Sequence, residues 1–413
     1  MWEELTKAAL EILTALSKSL EATTGIESDS IFWIKLATVV LGLCAASFST
    51  FYWGRKILRD KIQQVLVDPE AFWRKPPTKA VAKQYLARQA HSLPIITIAN
   101  YKGGVGKSMI AANLAAYFDI VGLRVLLIDY DYQGSLTDIV PYADPEKMTF
   151  SAHEILKGDK SDRHVTEPHR LGKSYQRTAI HPAEATLSRI DSHLIYQWLT
   201  GGRTDDIRFN TQAYLASAAV RAKYDIVIID TPPRICAATA NALCAATHVL
   251  VPTILDTVSS RAVLRSVQMF IDFREKLGLS FKMLGIVPSR VTNSRTYSNR
   301  ESKALEYLNE ELASRFGKIP NPITGAREPV IALAGLPICN RVALLHIDGD
   351  DPGIFKETGG DPVIRAMFAR LGNHVLEQIG LIRKPATEVV PDADIRTTPT
   401  VINFGVRAGA SAG

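Results

Sequence analysis

Two lysines, Lys102 and Lys107, stand in the run KGGVGKS at 102–108, and three aspartates, Asp129, Asp131 and Asp230, each follow an apolar run further along. Glycines in this pattern let backbone N–H groups turn inward on an anion, and a helix beginning directly behind them adds positive potential. Lys107 is then placed to reach the β- and γ-phosphates of a nucleotide, and the Ser108 hydroxyl to ligate Mg2+. Asp230 ends the run YDIVIID ahead of Thr231-Pro232-Pro233, the setting of a strand-end carboxylate that holds Mg2+ through water. The chemistry these groups suit is phosphoryl transfer to water, which rests on positioning and charge neutralisation more than on a covalent nucleophile.

Such residues need strands and helices to aim them. Ile95 to Ala99 is a β-branched run of the kind that forms a buried parallel strand. MIAANLAAYFDIVG behind the glycine loop predicts a helix ending at Gly122. RVLLI at 124–128 predicts a second strand, with Asp129 and Asp131 at its carboxyl end, where functional residues of open α/β sheets gather. Further strands are expected at HVLVP (248–252), KMLGIV (282–287) and within EPVIALAGLP, and a closing amphipathic helix at 361–383. Residues 141–223 show scattered histidines and no clean period; solvated surface helices and partner contacts are expected there.

With those motifs in hand, KGGVGKS resembles the deviant Walker A motif of the ParA/MinD group of P-loop ATPases, and the likeness covers roughly residues 94–345. It implies a nucleotide-binding set of Lys102, Gly103, Gly104, Val105, Gly106, Lys107, Ser108 and Met109. It also implies that Lys102 reaches across an ATP-sandwich homodimer to the partner's phosphates, with slow hydrolysis as a timer. DYDYQ resembles the family's DxDPQ element, with Tyr132 where the family has proline. By that match Asp131 orients the attacking water and Asp129 acts near Mg2+ through water. The catalytic set is thus Lys102, Lys107 and Asp131, the metal set Ser108, Asp129 and Asp230, and the cofactors ATP and Mg2+. Residues 336–341 resemble the loop that lies against the nucleotide base in relatives.

Length and composition frame the rest. A chain of 413 residues accommodates one large domain with appendages, and a net charge of +6 is too small to indicate nucleic-acid binding by itself. Four cysteines, Cys44, Cys236, Cys244 and Cys339, lack metal-site spacing and read as structural. Residues 1–30 predict an amphipathic helix suited to a helix–helix contact, and 31–53 a transmembrane helix flanked by Trp33 at one end and Tyr52 and Trp53 at the other. Arg55, Lys56, Arg59 and Lys61 behind it put the N-terminus outside and the remainder in the cytoplasm of a bacterial inner membrane. Residues 54–92 read as a basic juxtamembrane linker, 93–383 as the ATPase domain, and 384–413 as a flexible tail. The fold expected is a doubly wound, mostly parallel α/β P-loop domain preceded by a single transmembrane helix.

That organisation implies a membrane-anchored ATPase that switches by ATP-dependent dimerisation and positions a membrane-associated complex with an unknown protein partner. The alternative is a DNA-partition ATPase, for which Arg290, Arg295, Arg300 and Lys303 are the candidate basic face. A tyrosine kinase of bacterial type is disfavoured because the last 80 residues contain no tyrosine. An iron–sulfur reductase is disfavoured because no cysteine lies between Asp131 and Ile235.

Overall fold

A computed structural model describes scattered positions between 11 and 68, and then 72–90, 93–147, 149, 151–158, 167–172, 175–184, 187–200, 205–293, 295–340 and 362–381. The chain divides into two compact units, 1–68 and 69–413.

The second unit is built on an eight-stranded sheet ordered β10-β7-β6-β1-β5-β2-β4-β3. Its central strands are β1 (Ile95–Ile98), β2 (Val125–Asp129), β5 (Ile226–Asp230), β6 (His248–Ile254) and β7 (Lys282–Val291). On the flanks lie β3 (His169–Arg170), β4 (Thr178–His181) and β10 (Ile338–Cys339). Every pairing is parallel except β3 with β4. A separate hairpin joins β8 (Ile319–Pro320) to β9 (Arg327–Glu328).

Alternating side chains of each strand serve opposite faces, so the sheet carries two cores. Ile95, Leu126, Ile128, Val227, Ile229, Val249 and Val251 join one cluster, whereas Ile96, Ile98, Leu127, Ile226, Ile228 and Leu250 join the other. Burial on both faces explains why these strands read as continuous apolar runs. The first face is covered by α4 (Ala152–Lys157), α5 (Leu187–Leu199), α6 (Asn210–Leu215), α7 (Ala218–Lys223), α8 (Ala237–Ala245) and α9 (Thr257–Leu277). The second is covered by α2 (Lys107–Ile120) and α11 (Pro362–Gln378), while α10 (Asn299–Phe316) contributes to both clusters. The doubly wound, mostly parallel architecture is as expected.

Three sequence expectations change. Residues 72–90, assigned to the linker, belong to the folded unit: Trp73 and Tyr85 are each 2% exposed, and α1 (Lys79–Gln89) carries Tyr85 into the core. The anchor there is Arg208, whose guanidinium donates to the carbonyls of Trp73 (2.8 Å) and Lys75 (2.5 Å) while pairing with both oxygens of Asp206. Beyond Glu328, which ends β9, the run EPVIALAGLP forms a single bridge, Ala332 to Ile286, in place of a strand. Residues 141–223 supply β4 to the main sheet, and His181 at its end is fully buried between Ser151 and Tyr214.

Residues 47–57 are helical and exposed, with Phe48 stacked on Tyr52, Arg55 over the Phe51 ring and Lys56 over the Trp53 ring. Among the described residues no helix is long and apolar enough to cross a membrane. Most of the 1–30 helix, the greater part of the 31–53 span, Cys44 and the 384–413 tail lie outside the described residues. Cys236, Cys244 and Cys339 are buried, as expected of structural thiols.

Candidate active site

The phosphate loop connects β1 to α2 along the carboxyl edge of the sheet. Gly104 (φ 72°) and Gly106 (φ 83°) adopt left-handed conformations that side chains disfavour, and Gly106 caps α2. With no atom near a notional Cβ at Gly103 or Gly104, backbone can approach a phosphate closely there. The loop is held from behind. Asn100 accepts from the Lys102 amide (2.9 Å) and donates to the Pro252 carbonyl (2.7 Å). Ser289 donates to the carbonyl of Val105 (2.8 Å), and Arg290 to that of Gly104 (3.2 Å). With its carbonyls tied outward, the loop keeps its N–H groups for an anion.

Arg290 has φ 55°, the one positive value of a non-glycine among the described residues. It lies at the carboxyl end of β7, so strain is stored where the strand meets the loop.

Lys107 opens α2 and is 6% exposed. Burial lowers its pKa, opposed by the charges of Asp230 and Asp131. Register explains how the carboxylates meet it: β5 lies between β1 and β2, so Asp230 pairs with both Ile98 and Asp129. Asp230 is fully buried, and neither of its side-chain oxygens has a hydrogen-bond partner of good geometry. Burial pushes its pKa up to about 7, with Asp131 adding to the rise and the Ser108 hydroxyl and Lys107 pulling against it.

Asp131 is buried and accepts from the Gln133 amide at 3.1 Å. Thus two buried carboxylates, Asp131 and Asp230, act on one buried ammonium, with Asp129 paired to Asp230 behind them. A buried carboxylate beside Ser108 and Lys107 that lacks a hydrogen-bond partner of good geometry fits a hydrated divalent cation.

Asp129 differs from the sequence expectation. Its carboxylate accepts from the Thr137 amide (2.8 Å), the Thr137 hydroxyl (2.7 Å) and the Asp131 amide (3.0 Å). Burial, and then the neighbouring Asp230, raise its pKa well above the usual range, against those bonds. This arrangement makes Asp129 the holder of the Asp131 turn and of α3 (Ser135–Ile139), with most of its acceptor capacity already taken.

Lys102 lies apart from that cluster. Its ammonium donates to Ser259 Oγ and lies 3.7 Å from the Asp256 carboxylate. Asp256 caps α9, accepting from the amide (2.8 Å) and hydroxyl (2.6 Å) of Ser259. Burial would raise the Asp256 pKa, but the Ser259 bonds and Lys102 outweigh it and hold it low. Residues 338–339 form β10 beside the end of β7, while Arg341 lies outside the described residues.

Val105 is fully buried and Met109 half-buried, so these two members of the nucleotide set support the loop from the protein side. Sequence reasoning missed Thr137, Asp256, Ser259 and Ser289, and placed Arg290 only on a candidate basic face, not behind the phosphate loop. Only Asp256 carried a local signal, as an aspartate three residues ahead of a serine at a helix start.

Residues 93–283 match the family described as AAA domain. A provisionally named replication protein A of Sinorhizobium fredii is 32% identical over 186 residues, 44% of this chain and 46% of the relative. The chromosome partitioning protein ParA of Myxococcus xanthus is 34% identical over 158 residues, covering 38% of this chain and 51% of that one. The chain spans about half the length of these curated relatives. Among solved structures, apo McdA of Cyanothece superposes with a TM-score of 0.52 at 18% identity, over 68% of this chain and 99% of that one, a likeness of fold. Over much of its sheet domain the chain is thus similar to ParA-type P-loop ATPases, and its glycine loop, buried lysine and strand-end aspartates agree with that likeness.

Proposed function

We propose that this protein hydrolyses ATP with Mg2+ and uses the nucleotide to close a homodimer, a switch of the partition or positioning kind. The observation that carries the reading is the buried group of Lys107, Asp131 and unpartnered Asp230 under a phosphate loop whose carbonyls are tied outward. Lys107 and the loop amides bind the β- and γ-phosphates, and Ser108 and Asp230 hold the hydrated cation. Bound there, Mg2+ neutralises phosphate charge and offsets the repulsion among the carboxylates. Asp131, fixed by its turn, orients the attacking water. Lys102 leaves Ser259 and Asp256 to meet the partner's phosphates.

Two targets follow from different observations. A membrane-associated complex is favoured by the exposed helix at 47–57, where Phe51 pairs with Arg55 and Trp53 with Lys56, an arrangement suited to a lipid interface. In that reading the protein is single-pass, with its ATPase domain cytoplasmic and its unknown protein partner at the membrane. DNA is favoured by the partition proteins among its relatives and by Arg290, Arg295, Arg300 and Lys303, all exposed. One of the structural relatives, pNOB8 ParA, is described as bound to nonspecific DNA.

The test is size and turnover of the full chain in detergent, wild type and Asp131→Ala, with ATP and Mg2+. A larger species that ATP induces, Asp131→Ala traps and Lys102→Ala abolishes supports the switch; assembly independent of ATP overturns it. Flotation with anionic vesicles, set against salt-dependent DNA binding with and without ATP, separates the two targets.

A further inference from the structure

The loops that carry Asp131 and Asp230 leave adjacent strands and then diverge. Their last strand bond runs from the Tyr130 amide to the Asp230 carbonyl (3.0 Å). Beyond it, one chain makes the Asp131 turn, with the Gly134 amide on the Asp131 carbonyl (2.8 Å). The other passes through Thr231-Pro232-Pro233 to Arg234, whose carbonyl accepts from Thr239 Oγ1 (2.6 Å) at the start of α8. Across the gap, the Arg234 guanidinium lies over the Tyr132 ring, 5.4 Å from its centroid. Tyr132 is half-buried against the core, while Arg234 is exposed at the rim.

We propose that Tyr132 and Arg234 form a clasp that couples the Asp131 turn to the Asp230 loop, making both of them positioning residues for hydrolysis. The inference rests on the ATPase reading above and deepens it. Tyr132 occupies the position where the family element has proline. A proline stiffens a turn from within by fixing its own φ. Tyrosine gives no such restraint, and the ring instead takes its rigidity from a cation supplied by the neighbouring loop. Since Tyr132 directly follows Asp131, movement of the ring displaces the carboxylate that faces the attacking water. A misplacement of about 1 Å at such a group is enough to cost as much as ~10²-fold in rate. Arg234 follows Asp230 by four residues, so a shift of the metal-side loop is passed to the water-side turn through this contact.

The experiment is a double-mutant cycle on the full chain, with steady-state ATP turnover and amide hydrogen exchange in the nucleotide-free protein. Arg234→Ala and Tyr132→Ala should each lower kcat about 5- to 20-fold, with KM for ATP moving less than about twofold. The double variant should be no slower than either single one, and Tyr132→Phe, which keeps the ring, should restore turnover. Without nucleotide, the amides of Gln133 and Gly134 should exchange several-fold faster in Arg234→Ala.

Additive losses, or an Arg234→Ala loss with Tyr132→Ala unaffected, would mean that Arg234 acts on the nucleotide directly and would overturn the clasp. Unchanged exchange would overturn it as well. Absence of wild-type turnover would instead remove the ATPase reading, a result kept separate by Lys107→Ala as the inactive control.

Discussion

The Lys102 ammonium lies 3.7 Å from the Asp256 carboxylate and donates to Ser259, so the cation assigned to a partner's phosphates is held within its own chain. The pair is only partly exposed, and Lys102 must leave it before it can act across a dimer. Lys102→Ala should therefore abolish ATP-dependent dimerisation and reduce turnover at least tenfold, while leaving monomer affinity for ATP within about threefold. Light scattering with and without ATP, alongside fluorescent-nucleotide titration, reads both effects.

Asp230 gives the nucleotide-free protein a distinct pH dependence. An ordinary aspartate ionises at 3.8, whereas burial holds Asp230 near 7 in the folded state. The unfolded chain loses this proton first, so stability should fall as pH rises from about 4 to 7 and then level off. Asp230→Asn removes the effect and should be the more stable protein at pH 7.5, by about 2–4 kcal/mol in urea melts without metal. Mg2+ with ATP should raise the wild-type melting temperature and leave that of Asp230→Asn little changed.

Asp129 and Thr137 form a structural pair beneath the catalytic turn. Thr137→Val keeps the shape of the side chain but removes a 2.7 Å bond to the buried carboxylate, together with the acceptor of the Ala183 amide. The expected loss is about 2–3 kcal/mol of unfolding free energy, with reduced turnover because the Asp131 turn loosens. Urea denaturation and an ATPase assay on the same preparation measure both.

Arg208 ties residues 72–78 to the domain and is 1% exposed. Arg208→Ala leaves Asp206 without its guanidinium and frees the Trp73 and Lys75 carbonyls, which should cost about 3–5 kcal/mol. Limited trypsinolysis should then cut at Arg74 and Lys79 faster than in wild type, ahead of any cleavage inside the sheet.

Much of the site was legible because its signals are local. Glycine spacing at 102–108 dictates a left-handed turn wherever the loop lies, and a β-branched run such as IVIID reads as strand with its aspartate at the end. Short or non-local features did not show. Segment 141–223 concealed β4, since TAIH is only four residues long and is bounded by loops without a period. Trp73 and Tyr85 fall in the expected linker because nothing nearby in sequence reveals their partners, Arg208 at 135 residues from Trp73 and Ser280 at 195 residues from Tyr85.

The sequence by itself determined the phosphate loop, the order of strands that ends in Asp129 and Asp230, and the residue types able to neutralise a triphosphate. These follow from backbone conformational preference and apolar periodicity, which act over a few residues. Tertiary structure decided which of those groups are partnered. Placing β5 between β1 and β2 set Asp230 beside Lys107 and Asp129 and brought Arg234 over Tyr132, while the turn into α3 gave Asp129 to Thr137. A side chain's charge state and freedom depend on the neighbours the sheet order brings to it, and that order is a property of the whole folded chain.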